Sequence, residues 1–198
     1  MKAIKYSAIL FLSVSIMQSC KPTDQVKQVL DPSSKDYFEV KNGSTYTFTE
    51  ISDTTISINY TSENYLNNQS NPDIENNEIM SYDLVSNGHP KISIRTEAGG
   101  STYKDRIAMI TNRNDTNYVG PIIFNLGGTF SKIQNSRDTV FQYPSYTINN
   151  RTFTDVIRIV LYGNNLYLEV FYAKNIGLIG RKERAGKFYY VKKYSVNK

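Results

Sequence analysis

From residue 37 onward, apolar residues alternate with polar ones in short runs that are interrupted by Asn, Gly, Asp and Ser. Nowhere in this region do apolar residues recur at helical spacing over ten or more residues. Alternation with a period of two is typical of strands that bury one face. Because the strands are short and numerous, we predict an all-β fold, an antiparallel barrel or half-barrel, with a sandwich as the alternative. The predicted strands cover 44–51, 54–62, 78–86, 91–97, 105–112, 119–126, 137–147, 152–163, 166–174, 176–183 and 187–196.

The region 153–174 gives the clearest predicted hairpin. Asn tolerates the positive φ angles of a type I′ turn. A two-residue turn at Asn164 and Asn165 would make positions whose numbers sum to 329 face one another. This register separates an apolar face, which we assign to the core, from a mixed face. The apolar face carries Leu161, Ile159, Ile157, Leu168, Val170 and Tyr172, and the mixed face carries Tyr162, Val160, Arg158, Tyr167, Glu169 and Phe171.

Residues 1–19 differ from the rest of the chain, since two lysines precede the apolar run 8–16. That run is too short to span a bilayer, which takes about 20 residues, and the pattern is typical of a secretory signal peptide. The stretch 17–20, Met-Gln-Ser-Cys, resembles the lipobox of bacterial lipoproteins. The resemblance implies cleavage before Cys20, a lipid anchor on its thiol and an acylated amino terminus. The alternative is a plain secretory signal with an incidental cysteine.

Removal of residues 1–19 leaves 198 − 19 = 179 residues, a length that suits one domain. Residues 20–36 begin with the lipid anchor that the resemblance implies, and their two prolines and few apolar residues predict a flexible tether. Residues 37–198 are then predicted to form a single antiparallel β-domain. Within this domain, 63–77 is rich in Asn and indicates a long connection, either a disordered loop, which we favour, or a binding lid. The Gly-Gly pair at 127–128 indicates a tight turn.

Lys21 follows the cysteine, at the position where the inner-membrane retention signal of lipoproteins has an aspartate. The lipobox resemblance therefore implies the outer membrane of a two-membrane bacterium. The periplasmic leaflet is the default expectation, and the cell surface is the alternative. The expected partners are the membrane, through the lipid anchor at Cys20, and a lipid, a glycan or an envelope protein for the domain itself.

The C-terminal region contains Tyr-Ala-Lys-Asn-Ile-Gly-Leu-Ile at 172–179, preceded by Thr-Asp-Val-Ile at 154–157. This pattern resembles the closing hairpin of small bacterial lipoproteins of the outer-membrane type, a group of uncharacterised function. The resemblance covers about 45 residues. It implies an antiparallel sheet and carries over no catalytic residue. Gly177 and Gly180 suit a β-bulge or a close approach of two backbones.

Composition excludes several classes of function. Without the signal peptide and its two lysines, 21 basic residues stand against 18 acidic ones, and no basic stripe or binding motif indicates a nucleic-acid partner. Once Cys20 carries lipid, no thiol remains for a disulfide, a metal site or a nucleophile. The single histidine, His89, lies in a predicted turn, so neither a zinc site nor a catalytic triad is expected. We predict no enzymatic activity and no cofactor.

Three ligand-binding modes remain open for a non-enzymatic envelope domain of this kind. A lipocalin-like barrel, or a half-barrel similar to those of lipoprotein-trafficking proteins, would carry a lipid or a small hydrophobic molecule if its interior were hollow. The 25 aromatic residues favour a filled interior and hence a protein-docking or structural role. A glycan-binding module would instead expose tyrosine rings on one sheet face. The candidate residues for such a face are Tyr143, Tyr146, Tyr162, Tyr167, Tyr189 and Tyr190.

Overall fold

The computed structural model describes residues 29–69, 78–98, 105–111, 122–125, 129–132, 139–162 and 167–198. These residues are nearly all β, as the alternation predicts, and they include one short helix. The helix is α1 (Pro32–Phe38), and the strands are β1 (Thr45–Glu50), β2 (Ser57–Gln69), β3 (Glu78–Val85), β4 (Ile92–Glu97), β5 (Arg106–Thr111), β6 (Ile122–Asn125), β7 (Thr129–Lys132), β8 (Thr139–Ile148), β9 (Arg151–Val160), β10 (Tyr167–Ala173), β11 (Gly177–Glu183) and β12 (Phe188–Ser195).

The twelve strands of the described residues form a single antiparallel sheet in the order β7-β6-β5-β4-β3-β2-β1-β12-β11-β10-β9-β8. Apart from β7 and β8, strands that follow one another in sequence pair with each other, and the first and last strands, β1 and β12, also pair. Within the described part of the chain, the sheet order places β7 and β8 at the two edges, although they follow one another in sequence. The sheet curls into a half-barrel, which confirms one of the predicted architectures.

Large aromatic side chains occupy the concave side of the half-barrel. Phe38 of α1 meets Tyr172 edge to face, with ring centroids 5.1 Å apart. Tyr46 donates a hydrogen bond to the carbonyl of Ile176 over 2.6 Å, so its hydroxyl is satisfied inside the core. Gly177 has φ +89°, and a Cβ there would lie 3.1 Å from the Tyr46 hydroxyl, as expected for a close approach. Further aromatic core residues, each at most 2% exposed, are Phe48, Tyr60, Tyr82 and Tyr167.

The predicted register of the β9–β10 hairpin is confirmed, because Ile159 faces Val170 and the residue numbers of every other pair in this ladder also sum to 329. The turn at 164–165 lies outside the described residues. One assignment of face is wrong. A register shift in the β10–β11 ladder between Tyr167 and Glu169 turns Tyr167 away from the mixed face, and its side chain is 1% exposed. A bulge of this kind reverses the alternation and leaves no signal in the local pattern.

The predicted tether is too long at its C-terminal end, because residues from Leu30 onward belong to the folded domain. Leu30 is 2% exposed, and α1 begins at Pro32 within the range assigned to the tether. Asp31 caps the helix by accepting a hydrogen bond from the Ser33 amide over 2.8 Å. A proline in the first helical turn behind an Asp cap is a helix start, although the same residues resemble a polar linker.

Two carboxylates hold this N-terminal segment on the sheet. Glu78, at the start of β3, accepts hydrogen bonds from the Leu30 amide over 3.0 Å and from the Lys35 ammonium over 2.6 Å. Asp105 accepts a third from the Asp31 amide over 2.8 Å. Burial alone would raise the pKa of Glu78, but these hydrogen bonds outweigh it and lower the pKa. The segment is therefore fixed by charge as well as by apolar burial.

The Asn-rich connection predicted over 63–77 is wrong in its first half. Strand β2 runs from Ser57 to Gln69, and its distal part pairs with β3, with Asn67 opposite Met80. A register shift between Glu63 and Leu66 accommodates Asn64, whose φ is +54°. Asn tolerates this left-handed conformation, so polar sequence here forms a bulged strand. Residues 70–77 lie outside the described part of the chain, as does the predicted Gly-Gly turn at 127–128.

The tip of the β8–β9 hairpin folds back over the outer, convex face of β10–β12. Asn149 and Asn150 form the hairpin turn with φ of +46° and +63°, and Asp155 bends β9 with φ of +48°. Arg151 then reaches β12, where its Nη1 donates to the Lys192 carbonyl over 2.6 Å. The β11–β12 ladder ends at the Gly180–Tyr190 pair, and the β1–β12 register skips Lys192, so Arg151 supplies a hydrogen-bond donor where the ladders are interrupted.

A small second core lies between this tip and the sheet. Gly180 of β11 has no side chain, and the rings of Phe171 and Phe188 stack across it with centroids 5.5 Å apart. Ile148 from the tip covers the same spot, 3.2 Å from where a Gly180 Cβ would lie. Gly180 therefore provides the close approach that the sequence predicts. This packing also explains why Phe171, on the mixed face, is only 1% exposed.

Candidate functional site

The most unusual side chain of the interior is Arg181 on β11, which is only 2% exposed. Its Nη1 donates a hydrogen bond to the Tyr60 hydroxyl over 3.0 Å. Its Nε has no hydrogen-bond partner among the described residues. Four rings surround the guanidinium, at 4.9 Å (Tyr189), 5.1 Å (Tyr60), 5.5 Å (Phe48) and 5.7 Å (Tyr167) from its central carbon. The π faces of such rings stabilise a buried cation.

Two carboxylates lie beside this arginine at the same end of the half-barrel. Glu183, the last residue of β11, places Oε1 3.8 Å from the Arg181 Nε, which is ion-pair distance without a hydrogen bond. Glu50, the last residue of β1, is 6% exposed and accepts a hydrogen bond from Ser52 through Oε1 over 2.6 Å. Its Oε2 has no hydrogen-bond partner in the described residues, and the Lys187 ammonium is 3.8 Å away.

The sheet register explains why these groups meet. Glu50 faces Tyr189 across β1 and β12, and Tyr189 faces Arg181 across β12 and β11. The three side chains therefore point to the same, concave face. Burial raises the pKa of the Tyr189 hydroxyl most, Glu183 raises it further, Lys187 lowers it, and Glu50 (raising) and Arg181 (lowering) have weaker effects. We call the set Glu50, Arg181, Glu183, Lys187 and Tyr189 the rim site.

A second group of rings lies on the outer face. Tyr143 and Tyr146 of β8 have centroids 4.9 Å apart, and Tyr146 meets Phe171 at 5.4 Å. Phe141, 40% exposed, is near-parallel to Tyr143 at 6.5 Å, and the Arg158 guanidinium lies 5.4 Å from its ring centre. We call the set Phe141, Tyr143, Tyr146, Phe171 and Phe188 the outer aromatic row. Its end at β8 is exposed to solvent at Phe141.

The structure separates the six candidate tyrosines into three groups. Tyr143 and Tyr146 lie together in the outer aromatic row. Tyr167 and Tyr189 are buried against Arg181, and the register places Tyr190, 8% exposed, opposite Gly180 on the outer face. Tyr162 is 57% exposed and is the most accessible of the six. They do not form one continuous platform.

Sequence reasoning missed Glu50 and Arg181. The basic residues from Arg181 to Lys193 predict a solvated terminal hairpin, and Lys187 and Lys192 are indeed exposed. Arg181, in contrast, is buried by rings that lie far away in sequence, such as Phe48 and Tyr60. No local pattern reports such a contact. The lipid-attachment candidate Cys20 lies outside the described residues.

No protein-family model, no curated protein and no solved structure matches this chain. Among the described residues, no helix has the length and hydropathy needed to cross a bilayer. The same residues contain no cluster of three or more His, Cys, Asp or Glu side chains arranged to hold a metal ion. Function must therefore be argued from the two groups of side chains and from the N-terminal sequence.

Proposed function

We propose that this chain is a lipid-anchored lipoprotein of the bacterial outer membrane whose half-barrel is a non-enzymatic binding or docking domain. The anchor rests on the Met-Gln-Ser-Cys stretch ending at Cys20 and on the signal-like residues before it. The periplasmic leaflet is the proposed location, and the expected partner is a glycan or an envelope protein.

The observation that carries the binding role is the aromatic interior. Rings of Tyr46, Tyr82 and Tyr172, together with Phe38 from α1, occupy the concave side at the α1 end, and each is at most 2% exposed. A carrier would keep this space open for an acyl chain. An occupied interior favours recognition through the rim site or the outer aromatic row, and the carrier is the less favoured alternative.

Glycan binding is the second candidate function, and the contact between Tyr143 and Tyr146 favours it. Their centroids are 4.9 Å apart, with Phe141 exposed beside them, so neighbouring ring faces are presented on one strand. Aromatic faces pack well against the C–H faces of sugar rings, while tyrosine hydroxyls stay in water.

Membrane fractionation of the expressed full-length chain tests the anchor. We expect the wild type to sediment with membranes and to incorporate a labelled fatty acid, and Cys20→Ala to do neither, because the thiol is the acylation site. Ser19→Ala is the matched control, since it keeps a small residue before the cysteine. Membrane retention and labelling of Cys20→Ala would overturn the anchor.

Solvent extraction of the purified chain tests the carrier alternative. Mass spectrometry of the extract should find no stoichiometric free lipid, since Phe38 and Tyr172 are already in contact inside the half-barrel. One lipid per chain would replace the docking role with the carrier role.

A further inference from the structure

Two buried charged atoms of the rim site lack the hydrogen bonds that burial demands. Arg181 Nε and Glu50 Oε2 are shielded from solvent, and neither has a hydrogen-bond partner among the described residues. Most buried polar groups in native proteins are satisfied, and an unsatisfied charged group is costly. One is a donor and the other an acceptor. A ligand that supplied both kinds of partner would remove both penalties.

The charges of the rim site define the class of ligand. Arg181 and Lys187 balance Glu50 and Glu183, so the site attracts neither anions nor cations strongly through net charge. A neutral hydroxyl group can accept from the Arg181 Nε and donate to a carboxylate oxygen. Tyr189 lies between these partners in the sheet register, and its hydroxyl can also donate and accept a hydrogen bond.

We propose that the rim site binds a neutral sugar residue, with the sugar hydroxyls bonded to Arg181 Nε, Glu50 Oε2 and the Tyr189 hydroxyl. This deepens the binding role proposed above and rests on it. It assigns glycan recognition to the concave rim and away from the outer aromatic row.

The structure also indicates how a sugar would enter. Lys187 forms the outer wall of the site, and its side chain is 51% exposed. Its ammonium lies 3.8 Å from Glu50 Oε2, beyond hydrogen-bond distance, so little holds it in place. Residues 51–55, in the β1–β2 connection beside it, are exposed as well. Movement of this lysine would uncover the Glu50 side of the site without disturbing the sheet.

Isothermal titration of the full-length chain with maltohexaose, cellohexaose, xylohexaose and chitohexaose tests the proposal. We expect at least one of these neutral oligosaccharides to bind. Glu50→Gln and Tyr189→Phe, which preserve shape, should each weaken that binding about tenfold, the effect of losing one hydrogen bond to a charged group or a buried hydroxyl. Glu97→Gln and Tyr143→Phe are matched controls away from the rim and should bind like the wild type.

A second measurement needs no substitution and therefore stands even if a variant fails to fold. In the wild type, the ¹⁵N–¹H signal of the Arg181 Nε should shift on titration with the binding oligosaccharide, because it gains an acceptor. Absence of binding by all four oligosaccharides, or an unmoved Arg181 signal, would overturn the proposal. Weakening by Tyr143→Phe alone would also overturn it and would move the glycan to the outer aromatic row, leaving the proposed binding role intact. Failure of the anchor itself would be seen separately, in the membrane fractionation of Cys20→Ala.

Discussion

Substitution of Leu30 by alanine tests whether the N-terminal segment is part of the fold. Leu30 lies within the range 20–36 that its composition assigns to a tether, yet its side chain is 2% exposed. In a flexible tether, Leu30→Ala would leave the free energy of unfolding unchanged. In the observed structure, the change removes a buried apolar side chain next to a backbone amide held by Glu78.

The expected loss follows from the burial. A Leu→Ala change in a core costs about 2–5 kcal/mol, and a site beside the exposed Val29 relaxes more easily than a central one. We therefore expect about 2–3 kcal/mol for Leu30→Ala. For a chain of this size, 1 kcal/mol lowers Tm by about 2–4 °C, so the midpoint should fall by roughly 4–12 °C. The loss cannot exceed the free energy with which the segment docks, because beyond that limit the segment simply detaches.

The matched control is the preceding residue. Val29 is 57% exposed, so Val29→Ala should shift Tm by less than about 2 °C. Thermal unfolding followed by circular dichroism gives both midpoints, and trypsin cleavage at Lys35 reports detachment of the segment under native conditions. Equal, small shifts for Leu30→Ala and Val29→Ala would refute the docking of this segment.

Three further changes probe the outer core and the N-terminal contacts. Gly180→Val should cost about 1–3 kcal/mol in urea denaturation, because its side chain would press on the rings of Phe171 and Phe188. Arg151→Ala should cost about 1–2 kcal/mol in the same assay, because its hydrogen bonds to β12 carbonyls are lost. The lowered pKa of Glu78 gives a stabilisation that is complete above its ordinary pKa and lost as pH falls through the folded value. Stability measured from pH 7 to pH 3 should therefore fall more steeply in the wild type than in Glu78→Gln.

Each of these expectations has a result that would contradict it. A Gly180→Val chain as stable as the wild type would mean that the hairpin tip does not cover β11. Arg95→Ala removes an exposed arginine that has only a surface ion pair, and it is the control for Arg151→Ala. If both variants lost the same free energy of unfolding, the hydrogen bonds of Arg151 at the hairpin tip would have no special role. Glu97→Gln is the matched control for Glu78→Gln. Identical pH profiles of the two variants would show that Glu78 is not held in its ionised form.

The register of the β9–β10 hairpin could be predicted because two local signals agree there. The Asn pair predicts a two-residue turn, and the alternation around it predicts which side chains share a face. The pairing of Ile159 with Val170 confirms the register that these two signals predict. Helix α1 was missed although Asp31 and Pro32 are a cap and a first-turn proline, because seven residues are too few to show a helical period. Its position is fixed mainly by contacts with distant strands, such as that of Phe38 with Tyr172.

The candidate site could not be predicted for a related reason. Composition correctly marks tyrosine as the most frequent aromatic residue, but it does not say which face each ring occupies. The bulge at Tyr167 turns that ring toward Arg181, and the curl of the sheet brings Phe48 and Tyr60 around the same guanidinium. A buried arginine that is surrounded in sequence by exposed basic residues can be identified only once the pairing of distant strands is known.

Strand β11 connects the two groups of side chains. Antiparallel sheets commonly leave one face in water, yet residues 177–181 of β11 are all buried. On the concave side Arg181 belongs to the rim site, and on the convex side Gly180 lies beneath Phe171, Phe188 and the folded hairpin tip. The tip therefore adds a packed layer directly behind the strand that holds the guanidinium. Because a side chain on a strand packed from both sides loses little freedom when it binds, this layer supports the proposal that Arg181 is preorganised for a hydrogen-bonding ligand.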